Sequence, residues 1–241
     1  MRLSLASRLA ALTAGGFIAL TVLQLSGQFD DCNRWLYEAL APLREESASL
    51  PDVHRLALLL TRLGDTWFCT GVSVLVLIWA GARRRSRIGL AFVLLMMAIG
   101  ALNSLLKIAL VVPRPALGQS MPTLSFPSGH ASGAAALWGM LAVIFAASAR
   151  SRLSATLVYG VAGLLILTVA ISRVLIGVHW PLDVAAGLLE GLVPAFCLYA
   201  LSRRESARQP VPDGVDALSL LLPLSGFTVL YILLNGPYKL Y

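Results

Sequence analysis

The feature that most constrains this chain is a series of apolar runs, each close to 20 residues long, at about 9–29, 66–82, 88–112, 130–148, 154–175 and 181–201. A helix needs about 20 predominantly apolar residues to cross a hydrocarbon core roughly 30 Å thick. Transmembrane strands would instead alternate polar and apolar residues over segments of about ten, and these runs do not alternate. The composition agrees: 58% of residues are hydrophobic, 13% are charged, and the mean hydropathy is +0.79. The fold class expected is all-α, a polytopic transmembrane helical bundle of six core spans. A seventh, C-terminal span is expected at 217–235, although Pro223 and Gly226 interrupt its pattern. With no internal repeat visible, residues 1–241 read as a single integral membrane domain with a core at 88–201.

The formal charge of +7 raises nucleic acid as a partner, but the placement of the arginines argues against it. Arg83, Arg84, Arg85 and Arg87 sit between two apolar runs, as do Arg150 and Arg152; Arg2 and Arg8 precede the first run, and Arg203, Arg204 and Arg208 follow another. This is the pattern of cytoplasmic loops under the positive-inside rule. It places the N-terminus in the cytoplasm and turns segments 30–65, 113–129 and 176–180 outward. Arg2 and Arg8 before an apolar run also suit a signal peptide, but the run is long and no small-residue cleavage site follows, so it reads as a retained helix. Leu50, Val53, Leu56, Ala57, Leu60 and Leu63 recur at helical spacing and suggest a helix at the membrane surface, with His54 as an interfacial histidine. Cys32, Cys69 and Cys197 are scattered and suggest neither a disulfide framework nor a metal site.

Three polar clusters break the apolar background on the outward side: Lys107 with Arg114-Pro115, then Pro127-Ser128-Gly129-His130, then Ser172-Arg173 with His179 and Asp183. Charges at the membrane edge carry a solvation cost that points to function. Lys107, Arg114 and Arg173 suit phosphate oxygens. Pro113 and Pro115 are expected to stop the run that carries Lys107; Lys107 and Arg114, seven residues apart, share a face only if that helix persists. Ser128 resembles an N-cap, and Gly129 would let the backbone at that helix start come close to an anion. Two histidines add what binding alone does not need: a neutral imidazole attacks phosphorus, while a protonated one gives a proton to the leaving oxygen. Asp183, four residues after His179, can hold the ring. Singly, each residue has a plainer reading: Arg114 as a headgroup anchor, Ser128 and Pro181 as helix-start residues, Asp183 as a first-turn acid. Gly129, Gly133, Gly187 and Gly191 suit close helix packing. Glu190 reads as a structural polar contact outside the site. No cluster of carboxylates suits magnesium, and two histidines with one aspartate make a weak zinc site, so no metal or other cofactor is expected.

The ordered set K-x6-RP, PSGH, SR-x5-H-x3-D across 107–183 resembles the signature of the type-2 phosphatidic acid phosphatase superfamily, with every fixed position present. The resemblance implies a helical bundle and a metal-independent phosphohistidine mechanism. It implies His179 as nucleophile, Asp183 as its partner and His130 as general acid, with Lys107, Arg114, Ser128, Gly129 and Arg173 binding the phosphoryl group. It adds little for residues 1–87 or 202–241, and a seventh span exceeds the family's usual six. The partners implied are the lipid bilayer and a membrane lipid phosphate, in a bacterial-type inner membrane with the site facing the exterior. Undecaprenyl pyrophosphate, phosphatidylglycerophosphate, phosphatidic acid and lipid A phosphates remain open as substrates, and the oligomeric state is not legible. Rival readings are a lipid-to-lipid phosphotransferase using the same histidine, a transporter for phosphate-bearing ligands, and a non-catalytic lipid-binding scaffold; the two histidines argue against the last two.

Overall fold

The structure, a computed structural model, describes residues 4–208 and 217–237. Arg2, the side chain of Arg208 and the 209–216 part of the polar segment after the sixth core run lie outside the described residues.

Helix α1 (Leu5–Ser26) starts behind Ser4, whose Oγ accepts from the Ser7 N–H at 3.2 Å, and stops at Gly27 with φ of 67°. This pairs an N-cap hydroxyl with a left-handed C-terminal glycine. The polar segment that follows folds into α2 (Asp30–Ala39), α3 (Ala41–Ser49) and α4 (Pro51–Leu60), then one 3-10 turn, Thr61–Gly64. The helical spacing read at 50–63 is realised as α4 plus this turn; its Val53 and Leu56 are exposed and Ala57 is buried. Next come α5 (Thr66–Ala82), α6 (Ser86–Leu110), α7 (Gly129–Ala147), α8 (Arg152–Leu175), α9 (Pro181–Arg208) and α10 (Leu218–Asn235). Asp65 caps α5 by accepting from the Trp67 N–H at 2.9 Å, and Ser151 and Ser154 form a reciprocal capping box on α8.

Among the described residues, six helices are long and apolar enough to cross a membrane alone: α1 and α6 to α10. Helix α5 has 17 residues and qualifies together with Pro51–Gly64, to which it is bent by 46°. Where the C-terminal span is expected stands α10, a continuous helix with Pro223 inside it that is long and apolar enough to cross a membrane.

Helix α7 lies at the centre, and its pairing with α9 is unusually close. A side chain on Gly187 would meet the Ser128 carbonyl and, 3.2 Å away, Ala131 Cβ; one on Gly191 would run into the Ser132 carbonyl. These glycines let the two backbones touch, the packing that small residues provide in membranes. The opposite faces present Leu12 and Ile18 on α1, Ile78 on α5, Ile108 on α6 and Leu164 on α8, all exposed, as expected of surfaces wetted by lipid tails. The antiparallel succession brings the end of α6 and the starts of α7 and α9 to one end of the bundle, and the arginine-rich turns to the other.

Candidate active site

The first cluster is assembled differently from its sequence spacing. Helix α6 does not persist to Arg114: it ends at Leu110, and Val111 takes a left-handed conformation with φ of 50° ahead of Pro113. Proline lacks the N–H that would continue the ladder. Lys107 and Arg114 thus share no helical face. Lys107 closes α6 and donates from Nζ to the carbonyls of Leu124 (2.7 Å), Ser125 (3.1 Å) and Pro127 (2.7 Å). Arg114 lies beyond the helix end and is buried. Its Nε donates to the Thr123 carbonyl at 2.6 Å and its Nη2 to Thr123 Oγ1 at 2.9 Å; its Nη1 donates to the Val178 carbonyl at 2.7 Å. The same Nη1 stands 3.1 Å from His179 Nε2. One guanidinium therefore joins the 123–127 loop to the histidine loop, a task suited to its rigid fork of donors.

His179 and Asp183 meet as their four-residue spacing suggested, with Nδ1 3.3 Å from Asp183 Oδ2. Asp183 Oδ2 also accepts from the Trp180 N–H at 2.9 Å and from Ser125 Oγ, which itself stands 3.4 Å from His179 Nδ1. All three residues are buried. Burial is the largest cause holding the His179 imidazole well below its ordinary pKa, and the positive charges of Arg173, Arg114 and Lys107 add to it. A carboxylate facing Nδ1 favours the tautomer with its proton there, leaving the Nε2 lone pair toward Arg114.

The second cluster opens α7. Ser128 occupies the N-cap position, but its side chain makes no capping bond, and its buried Oγ has no hydrogen-bond partner among the described residues. Its N–H donates to the Asp183 carbonyl at 3.0 Å, tying the start of α7 to α9. A Cβ on Gly129 would lie 3.2 Å from Asn103 Oδ1, so the absent side chain makes room for Asn103. His130 follows in the first turn of α7. From the third cluster, Arg173 is fully buried and donates from Nη1 to Thr61 Oγ1 at 3.0 Å.

Four polar contacts escaped sequence reasoning. Ser125, Thr123 and Thr61 fall in loop or turn segments with no period to mark them. Asn103 could have been found, since it is a polar residue inside an apolar run, one turn before Lys107. It donates to Glu190 Oε2 at 2.9 Å, which makes Glu190 the structural contact expected. Over the histidine loop lies the 30–49 segment. Tyr37 donates to the Gly177 carbonyl at 3.2 Å and packs edge-on to Trp180, and the Arg44 guanidinium sits 3.7 Å over the Tyr37 ring. A cavity of about 480 Å³ reaches from Gly129, Asn103 and Ser132 toward Met96 and Met97.

The fold is thus that of an integral membrane protein with a largely buried, polar, cation-rich cluster at one end of a helical bundle. The chain belongs to the PAP2 superfamily, whose model matches residues 88–207, and it is a membrane lipid phosphatase. It is 34% identical over 143 residues to phosphatidylglycerophosphatase B of Bacillus subtilis (strain 168), spanning 57% of this chain and 69% of that protein. The fold is shared with a crystal structure described as the first transmembrane PAP2 type phosphatidylglycerolphosphate phosphatase from Bacillus subtilis. That match has a TM-score of 0.70 and 24% identity, and covers 81% of this chain and 96% of that chain.

Proposed function

We propose that this chain, as one integral membrane phosphatase domain, hydrolyses the phosphate monoester of phosphatidylglycerophosphate or a chemically equivalent lipid phosphate through a phosphohistidine on His179. The observation that carries this reading is the two-sided arrangement of His179: Nδ1 faces Asp183 and Ser125, and Nε2 faces Arg114. A ring held at Nδ1 by a carboxylate, with an unprotonated Nε2 beside a guanidinium that would also bind the phosphoryl oxygens, is arranged to attack a bound phosphorus. The name of the Bacillus subtilis relative supports the choice of lipid.

In the first step His179 Nε2 forms an N–P bond, the bond from phosphorus to the lipid oxygen breaks, and His130 gives that oxygen a proton. Asp183 stabilises the charged ring that results. In the second step water attacks phosphorus and the N–P bond breaks; His130 takes the water proton and orthophosphate leaves. Lys107, Arg114, Arg173 and the Ser128-Gly129 helix start spread the charge of the phosphoryl oxygens. Among the described residues no three His, Cys, Asp or Glu side chains stand where they could hold one metal ion. The arginine-rich turns at the far end favour a cytoplasmic location for that end, with the cleft on the outer face of a bacterial inner membrane.

The test is phosphate release from a panel of lipid phosphates and pyrophosphates in detergent, with excess EDTA, comparing wild type with His179→Ala. Release by wild type alone, unaffected by EDTA, is expected. Equal release by both proteins would overturn the assignment of His179. Release only when an acceptor lipid is added would replace hydrolysis with phosphotransfer.

A further inference from the structure

Helix α10 exceeds the six spans expected of the family, and its attachment to the bundle is specific. Along its length it docks on α5: Phe227 sits where a side chain on Gly71 would be, Phe68 stacks on Phe227 with ring centres 5.8 Å apart, and Phe68 meets Tyr231 edge-on. Near its start, Ser219 Oγ accepts from Trp79 Nε1 at 3.1 Å. At its end the carbonyl of its last residue, Asn235, and those of the two residues that follow converge on one arginine, near the negative end of the helix dipole. Arg62 donates from Nε to the Gly236 carbonyl at 3.2 Å, and from Nη2 to those of Asn235 at 3.3 Å and Pro237 at 3.2 Å. Its Nη1 pairs with Asp65 at 3.1 Å.

Arg62 belongs to the Thr61–Gly64 turn, whose other residues contact the interior of the bundle. Thr61 is fully buried and its hydroxyl accepts from Arg173. The Leu63 carbonyl accepts from Trp138 Nε1 at 3.1 Å, and Gly64 is pressed against the His130 carbonyl and Val169. The turn is thus held by α10 on one side and touches two site residues on the other.

We propose that α10 is a positioning element for phosphoryl transfer: through Arg62 it fixes the Thr61–Gly64 turn, and through Thr61 that turn sets the direction of the Arg173 guanidinium. This rests on the reading of Arg173 as a phosphoryl-binding group. Arg62 and Thr61 are positioning residues that touch no substrate. The requirement is geometric, since a long buried side chain aimed at phosphoryl oxygens loses much of its effect when displaced by about 1 Å.

The experiment measures kcat and KM on the lipid substrate in detergent, and Ki for inorganic orthophosphate, for Thr61→Val, Thr61→Ser, Arg62→Met, their Thr61→Val/Arg62→Met combination, and Arg173→Lys. Thr61→Val and Arg62→Met are each expected to lower kcat about tenfold and raise the orthophosphate Ki by a similar factor, with KM within about twofold. Thr61→Ser restores both values, and the double variant is little worse than the stronger single one, because the two residues act through one connection. Thr61→Val is close to isosteric and decides the matter alone if Arg62→Met does not fold: wild-type kcat and Ki in it overturn the proposal. Fully multiplicative losses in the double variant also overturn it. A wild-type Ki in Arg173→Lys would instead overturn the phosphoryl-binding reading beneath it.

Discussion

Replacing Ser125 by alanine is expected to lower kcat about ten- to hundred-fold while leaving the fold and lipid binding in place. Asp183 Oδ2 is held by three donors: Ser125 Oγ, the Trp180 N–H at 2.9 Å and His179 Nδ1 at 3.3 Å. Ser125 is fully buried, so bulk water does not take over the lost donor. A hydrogen bond to a charged group contributes about 1.5–3 kcal/mol. At about 1.36 kcal/mol per factor of ten, expressing that in the proposed step, where the His179 ring would become charged, gives the stated range. Without Ser125 the carboxylate is free to turn from Nδ1, and the ring loses both its tautomer and its aim. The assay is phosphate release from detergent-dispersed phosphatidylglycerophosphate under saturating conditions, with Ser125→Thr as the variant that keeps a hydroxyl. Wild-type kcat in Ser125→Ala, at unchanged thermal stability, would refute the argument and leave Trp180 as sufficient anchor for Asp183.

Arg114→Lys is expected to lower kcat/KM by about a hundredfold, because an ammonium cannot span Thr123, Val178 and His179 as the guanidinium fork does; steady-state kinetics on the same lipid measures it. If His179 is the nucleophile proposed above, the acid limb of kcat/KM should lie below pH 6.5, since burial and three cations lower its pKa; a limb above pH 7 would contradict this. The same shift fixes the sign of a stability effect. Below about pH 6.5 the unfolded chain takes up a proton that folded His179 refuses, so stability falls on acidification and is flat above. The drop in Tm between pH 7.5 and 5.5 should therefore be smaller in His179→Gln than in wild type. Gly191→Ala, which drives a methyl group into the Ser132 carbonyl, should destabilise the protein by about 2 kcal/mol or more, read as a lowered Tm in detergent.

The spans and the three clusters were legible because both are encoded locally. Apolar length reports a crossing whatever its neighbours are, and turns at one end of an antiparallel bundle must meet. Arg114 shows where local reasoning stopped. Pro113 and Pro115 were legible as the end of the Lys107 helix, but the contact with His179 is made by a side chain reaching across a loop, which no spacing encodes. The sequence did not show that Asn103, 26 positions away, packs beside Gly129, where a Cβ would lie 3.2 Å from its Oδ1. Ser125 and Thr61 carry no pattern, since a hydroxyl in a turn acquires meaning only from what folds against it. Helix α10 was readable as a span, but its tie to the cleft runs through Arg62, which in the sequence only fills a polar face of a surface helix.

The contact of α7 with α9 has a mechanical consequence. His130 opens one of these helices and His179 immediately precedes the other, and the pair meets backbone to backbone where Gly187 and Gly191 face Ser128 and Ser132. Close-packed protein interiors have low compressibility, and a direct backbone contact leaves no side chain between the helices to repack. Changes in bilayer thickness or lateral pressure should therefore be absorbed by tilting of the lipid-facing helices α1, α6 and α8, while the spacing between the two imidazoles stays constant. An enzyme built this way would keep its intrinsic rate as its host alters the acyl-chain composition of its membrane.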